Sequence, residues 1–167
     1  HNGDPVPRTP FPKAIDASML SAATRCQTLA SLEYMDHWKP KAPNVHLHAG
    51  GSFAHGLEAA RRAFHVEGKP AQDSIGLGLV ALSDFYGDFQ APEGSAKTCE
   101  RMLGALEFYF ERYPLDKDPA QPIVLGGKPA IEFSFAEPLP IPHPESGDPL
   151  IWCGRADQIV SYAGGTY

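Results

Sequence analysis

The 167-residue sequence predicts a mixed α/β domain in which helices come first and a mixed sheet follows. Three observations carry that expectation. Apolar residues recur at helical spacing from about residue 16 to 113, and the character of the chain changes after Pro114. Beyond that point, short β-rich runs alternate with Pro and Gly punctuation.

Each element has its own signal. Residues 1–14 contain four prolines (Pro5, Pro7, Pro10, Pro12) and read as an extended, poorly packed arm. Asp16 or Ser18 caps a first helix that runs to about Tyr34–Trp38 with Leu20, Ala23, Leu29 and Leu32 as its apolar positions. Pro40 and Pro43 then break the chain. A second helix is expected from about Gly50 to Val66, ending at Gly68. A third occupies roughly 72–87 and is weakened by Gly76 and Gly78. The fourth, about Ser95 to Tyr113, carries Cys99, Met102, Leu103, Leu106, Phe110 and Tyr113 at helical spacing. Two strands follow at Ile123–Leu125 and Ala130–Ala136, then a Pro-rich loop over 137–149 and a last strand over 150–162. Gly164-Gly165 reads as a hairpin tip whose returning strand is represented by Thr166 and Tyr167. The connectivity suggests a sheet with a mainly antiparallel start, and there is no internal repeat.

Composition narrows the functional classes. With 43% hydrophobic and 10% aromatic residues the chain can bury a core, which argues against global disorder. A net charge of −6 weakens non-specific DNA binding through overall charge and leaves that role to a local basic patch. The three cysteines, Cys26, Cys99 and Cys153, are far apart and form no CxxC, which points to reduced thiols in an intracellular protein. No run is long and apolar enough to span a bilayer, and the Pro-rich start is unlike a signal peptide. The first residue is not Met, which suggests a processed or truncated start.

Three sets of residues are candidates for chemistry. On the second helix, Phe53, Leu57, Ala60 and Phe64 form a core stripe at about 100° per residue, leaving His55, Glu58 and Arg62 on the other side. That side is either an ordinary solvent face or an imidazole and a carboxylate aimed at a cleft, with Gly51 allowing a close approach. On the last strand, alternation groups Asp157 with Cys153, Arg155, Ile159 and Ser161. A carboxylate flanked by Ala156, Ile159 and Val160 is costly to bury unless a cation, metal or proton compensates it, and Arg155 is the nearest cation in sequence. On the strand 130–136, Glu132 and Ser134 oppose Ile131, Phe133 and Phe135. A separate HxH, His46 and His48, would put two imidazoles on one side of an extended chain, as in zinc hydrolases; two loop histidines before a helix is the plainer reading.

Gly51-Ser52-Phe53-Ala54-His55 (a GxxxH pattern), Glu132 and Gly154-Arg155-Ala156-Asp157, in that order, resemble the RecB-like exonuclease branch of the PD-(D/E)XK nuclease superfamily, including phage and CRISPR-associated relatives. The stretch Ile15-Asp16-Ala17-Ser18 through Cys26 is similar to that family's first helix, so the resemblance covers about 15–167. It implies a restriction-endonuclease-like core and metal-dependent, exonucleolytic hydrolysis of DNA phosphodiesters in recombination, repair or defence. It makes His55 and Asp157 metal ligands converging on one Mg²⁺ or Mn²⁺, and Glu132 a third catalytic residue that adds a ligand or holds water. Arg155, Arg62 and Lys97 become weak candidates for DNA contact, from a wider basic set with Lys39, Lys41, Arg61 and Arg101. The family's next carboxylate–x–lysine does not occur here, so the resemblance implies a C-terminally incomplete nuclease domain, inactive alone, from the cytoplasm of a bacterial or phage-infected cell. A recombination or repair protein is a further partner. Iron–sulfur relatives pair one early Cys with three late ones, and without the late trio Cys26 reads as a buried thiol. The alternative is a non-catalytic DNA- or protein-binding domain on the same core.

Overall fold

The computed structural model describes residues 10–39, 41 and 44–167. Residues 1–9 of the expected arm and the Pro40 and Pro43 breaks lie outside them. The protein is mixed α/β and divides into two compact units, residues 1–41 with 134–155 and residues 42–133 with 156–167.

In the first unit, Asp16 takes an extended backbone and its carboxylate accepts from the Met19 N–H at 2.7 Å, capping helix α1, Ala17–Arg25. The single long helix read from the sequence is broken. Cys26 is extended at φ −160°, after which α2 (Gln27–Ala30) and a π turn (Ser31–Met35) follow. The break turns Cys26 outward, so its thiol is exposed rather than buried. All three cysteines are free thiols. Strand β1 (Ala14–Ile15) runs parallel to β6 (Pro149–Gln158), and the sheet order is β1-β6-β5 with β5 at Ile131–Pro142.

β5 and β6 absorb most of the expected loop over 137–149. Pro138, Pro140 and Pro142 recur at the strand period of two, so their missing N–H groups all fall on one edge. β5 is an edge strand, where that edge needs no partner. The remaining connection is organised by His143, which is buried at 5% exposure. Its Nδ1 accepts from the N–H groups of Glu145 and Ser146, both at 3.2 Å, so the proton sits on Nε2 and is donated to the Phe11 carbonyl at 2.9 Å. The Phe11 N–H in turn reaches Glu145 at 3.1 Å. The end of the proline-rich arm is therefore pinned, not loose.

The second unit holds three helices: α3 (Val45–His65), α4 (Ala71–Tyr86) and α5 (Cys99–Arg112). Asn44 begins α3 earlier than expected because its side chain accepts from the His46 and Leu47 N–H groups at 2.9 and 3.4 Å. Thr98 starts α5 later than expected by accepting from the Arg101 N–H at 3.3 Å. Ala60, Leu82, Leu106, Phe110 and Leu115 form the core, and Phe53, Leu57 and Phe64 pack against it as their spacing indicated. The α3–α4 seam is made of small residues: Ala49, Ser52, Gly56 and Ala60 against Ser74 and Gly78, all buried. Gly56 and Gly78 face each other so closely that a Cβ on Gly78 would lie 2.6 Å from the Gly56 carbonyl oxygen. Gly78 is thus a contact residue and not a weak point of α4.

The rest of this unit is β structure. β2 (Gln121–Pro122), β7 (Val160–Tyr162) and β8 (Gly165–Thr166) form an antiparallel sheet in the order β2-β7-β8. β3 (Val124–Leu125) and β4 (Lys128–Pro129) form a hairpin. The C-terminal hairpin forms as expected, with Ser161 opposite Thr166, but its central residues are Ala163 and Gly164. Both have positive φ, 48° and 81°, the signature of a type I′ turn. Ile159 interrupts the expected single strand: its N–H binds the Ala130 carbonyl and its carbonyl accepts from Ile123.

Candidate functional site: a groove along α3 and the acid of β6

The small-residue seam brings α3 and α4 close, and beside it the larger residues flank a groove of about 510 Å³. Its walls carry His55, Glu58 and Arg62 from α3 and Leu77, Val80 and Asp84 from α4. His55, Glu58 and Arg62 of the α3 polar face thus line one open groove, with His55 and Arg62 exposed to water. Arg62 pairs with Glu58 at 3.7 Å, one helical turn apart, and Lys69 pairs with Glu67 at 2.8 Å at one end. Leu77 and Val80 are 41% and 58% exposed, so the α4 wall is apolar and open to water.

His55 is exposed, and its ring lies 5.3 Å from the Phe85 ring at a 37° tilt. The close approach at Gly51 is made by that same ring: a Cβ there would lie 3.2 Å from Phe85. Gly51 therefore admits an internal aromatic rather than a ligand. His48 is a packing residue, with Nε2 3.0 Å from the Tyr86 carbonyl oxygen and its ring against Phe85, Tyr86 and Phe89. The HxH lies in the first turns of α3, not on extended chain, so His46 and His48 point to different sides of a helix.

Asp157 is exposed near the end of β6. Water hydrates its carboxylate, so the burial cost suggested by its apolar neighbours does not arise. The ion pairs Arg62–Glu58 and Lys69–Glu67 do not involve it. Arg155 and Asp157 are exposed while Gly154 and Ala156 are half-buried, which is the alternation expected of the strand. Glu132 is half-buried in β5 with φ +53°, so the strict alternation assumed around it is broken by a left-handed residue. Lys97 is half-buried, and its carbonyl accepts from Tyr86 Oη at 2.6 Å. Arg61 donates to Tyr109 Oη at 3.0 Å and thereby joins α3 to α5.

No family model, curated protein or solved structure matches the chain.

The donor types of His55, Glu132 and Asp157 suit Mg²⁺ or Mn²⁺. Among the described residues, however, no three His, Cys, Asp or Glu side chains come together as a metal-holding group. Leu77, Val80, Asp84 and Phe85 are site residues that sequence reasoning missed. Leu77 and Val80 had a signal in the run Ile75-Gly76-Leu77-Gly78-Leu79-Val80-Ala81-Leu82, apolar on more sides of α4 than α3 and α5 cover; Asp84 and Phe85 had none. No helix of the described residues is long and apolar enough to cross a membrane.

Proposed function

We propose that this chain belongs to a divalent-metal-dependent deoxyribonuclease of the RecB-like PD-(D/E)XK type, with His55 and Asp157 as its metal donors and Glu132 as an accessory carboxylate. One observation carries the reading. The two motif residues that the resemblance singles out, His55 and Asp157, are both solvent-accessible. A bound metal would neutralise charge on the phosphodiester and lower the pKa of an attacking water. The chain's own parts are simpler. Phe85 lies against the His55 ring, and Arg62 and Lys69 stand beside the same groove paired with Glu58 and Glu67, which a phosphate would have to displace.

A non-catalytic nucleic-acid- or protein-binding module on the same core is the second reading. Mn²⁺ titration followed by electron paramagnetic resonance separates the two. The nuclease reading expects the free Mn²⁺ signal to fall on adding protein and to recover with His55→Ala or Asp157→Ala. An undiminished signal would leave the binding module as the better description. A DNA-cleavage assay of the full-length gene product with Mg²⁺ or Mn²⁺ is the second arm, and equal cleavage by Asp157→Ala would remove Asp157 from the mechanism.

A further inference from the structure

A second groove, of about 540 Å³, opens between α4 and α5 on their other flank and is distinct from the His55 groove. Its volume lies within the roughly 300–1,000 Å³ of ordinary binding sites. The floor is apolar, made by Ile75, Leu79, Phe110 and Leu115, and the last two belong to the core cluster. The rim is acidic, with Glu107 and Glu111 one helical turn apart on α5 and Asp116 just beyond it. No Lys, Arg or His lines it. Among the described residues none of the three carboxylates has an ion-pair partner. The nearby Arg112 is set over the Tyr113 ring, 6.0 Å from its centre.

Like charges at i and i+4 on one helix face disfavour that helix by a few tenths of a kcal/mol unless a cation lies across them. The seam between α4 and α5 here keeps such a pair directly above an apolar floor. From this geometry we propose that the α4–α5 groove docks an amphipathic basic helix of a partner protein. One large apolar side chain of the partner fills the floor, and Lys or Arg residues at its own i, i+4 spacing meet Glu107, Glu111 and Asp116. The charge complementarity selects a basic partner. The apolar floor selects a peptide with an anchor side chain over a simple polyamine, and the one-turn spacing of the carboxylates selects a helix laid along α5. This surface owes nothing to the nuclease reading and stands if that reading fails.

The test uses a fluorescent helical peptide with a Leu/Phe stripe flanked by Lys and Arg, titrated with the protein at low and moderate salt. Its controls are the same peptide with Glu in place of the basic residues and a linear tetra-amine. Saturable, salt-sensitive binding is expected, weakened about tenfold or more by the combined change Glu107→Gln, Glu111→Gln and Asp116→Asn. Those residues are exposed, and circular dichroism confirms that the variant keeps its helices. Amide resonances of Ile75, Leu79, Phe110 and Leu115 should shift on binding. Equal binding of the acidic peptide, displacement by the tetra-amine alone, or shifts confined to the His55 groove would each overturn the proposal.

Discussion

The closest packing in the second unit makes a prediction whose sign differs between two glycines only two positions apart. Gly76 and Gly78 both lie in the interior of α4, so replacing either by Ala gains about 0.5–1 kcal/mol of helix propensity. At Gly76 nothing lies within 4 Å of the new Cβ, and that gain should appear in full. At Gly78 the Cβ would meet the Gly56 carbonyl oxygen at 2.6 Å and the Ala60 Cβ at 2.8 Å. Neither neighbour is the far end of a flexible side chain, so the helices themselves must part. Overpacking of that kind costs about 1–3 kcal/mol. Because the propensity term is common to both sites, the difference between the two variants isolates the contact. Gly78→Ala should be less stable than Gly76→Ala by about 1–3 kcal/mol. Gly56→Ala should resemble Gly78→Ala, since its Cβ would lie 2.8 Å from the Gly78 oxygen and from the Leu82 Cβ. One separation of the helices relieves both clashes, so the double variant should cost less than the sum. Urea unfolding followed by far-ultraviolet circular dichroism reads all four. Gly78→Ala as stabilising as Gly76→Ala would refute the close crossing of α3 and α4.

Three further outcomes follow from individual residues. Burial, and then the nearby Arg61, hold the His65 pKa below its ordinary 6.5, with Asp118 opposing them. The unfolded chain therefore takes up a proton first as pH falls through about 6.5, so stability should decline from there until the folded pKa is passed; His65→Gln should flatten that part of a pH–stability curve. Glu132 occupies the left-handed region, so Glu132→Gly should be more stable than Glu132→Ala by about 1 kcal/mol in chemical denaturation, the reverse of the order at an ordinary strand position. Asn44→Ala removes the acceptor of two α3 N–H groups and should cost about 1 kcal/mol, with amide exchange quickening at His46 and Leu47.

What could be read from the sequence was whatever large side chains announce by their own spacing. Phe53, Leu57 and Phe64 packed where the helical period put them, and Leu106 and Phe110 did the same on α5. The C-terminal hairpin followed from its glycines, although the turn took Ala163 as well as Gly164. Small residues gave no such notice. Ala49, Ser52, Gly56 and Gly78 carry almost no hydropathy signal, and their value appears only when another backbone lies against them. The prolines of β5 misled for a related reason. A proline breaks a strand that needs its N–H, but on the free edge of an edge strand there is no bond to lose. At the site, the sequence identified the faces of His55 and Asp157 but not the α4 wall, because a helix's exposed side is defined by what fails to cover it.

The same crossing that makes Gly56 and Gly78 sensitive also makes the groove. Two helices that touch at glycine must diverge where their side chains grow, and the next residues outward are His55 on α3 and Leu77 and Ala81 on α4. His55 and Leu77 extend outward into water from the closed seam beneath. Phe85, lodged over Gly51 and against His55, fixes one end of that arrangement. A Cβ at Gly51 would crowd the Phe85 ring and press it toward the imidazole it now braces. The GxxxH spacing is thus explained by packing before any ligand is invoked: Gly51 makes room for the aromatic ring that orients His55 one turn later.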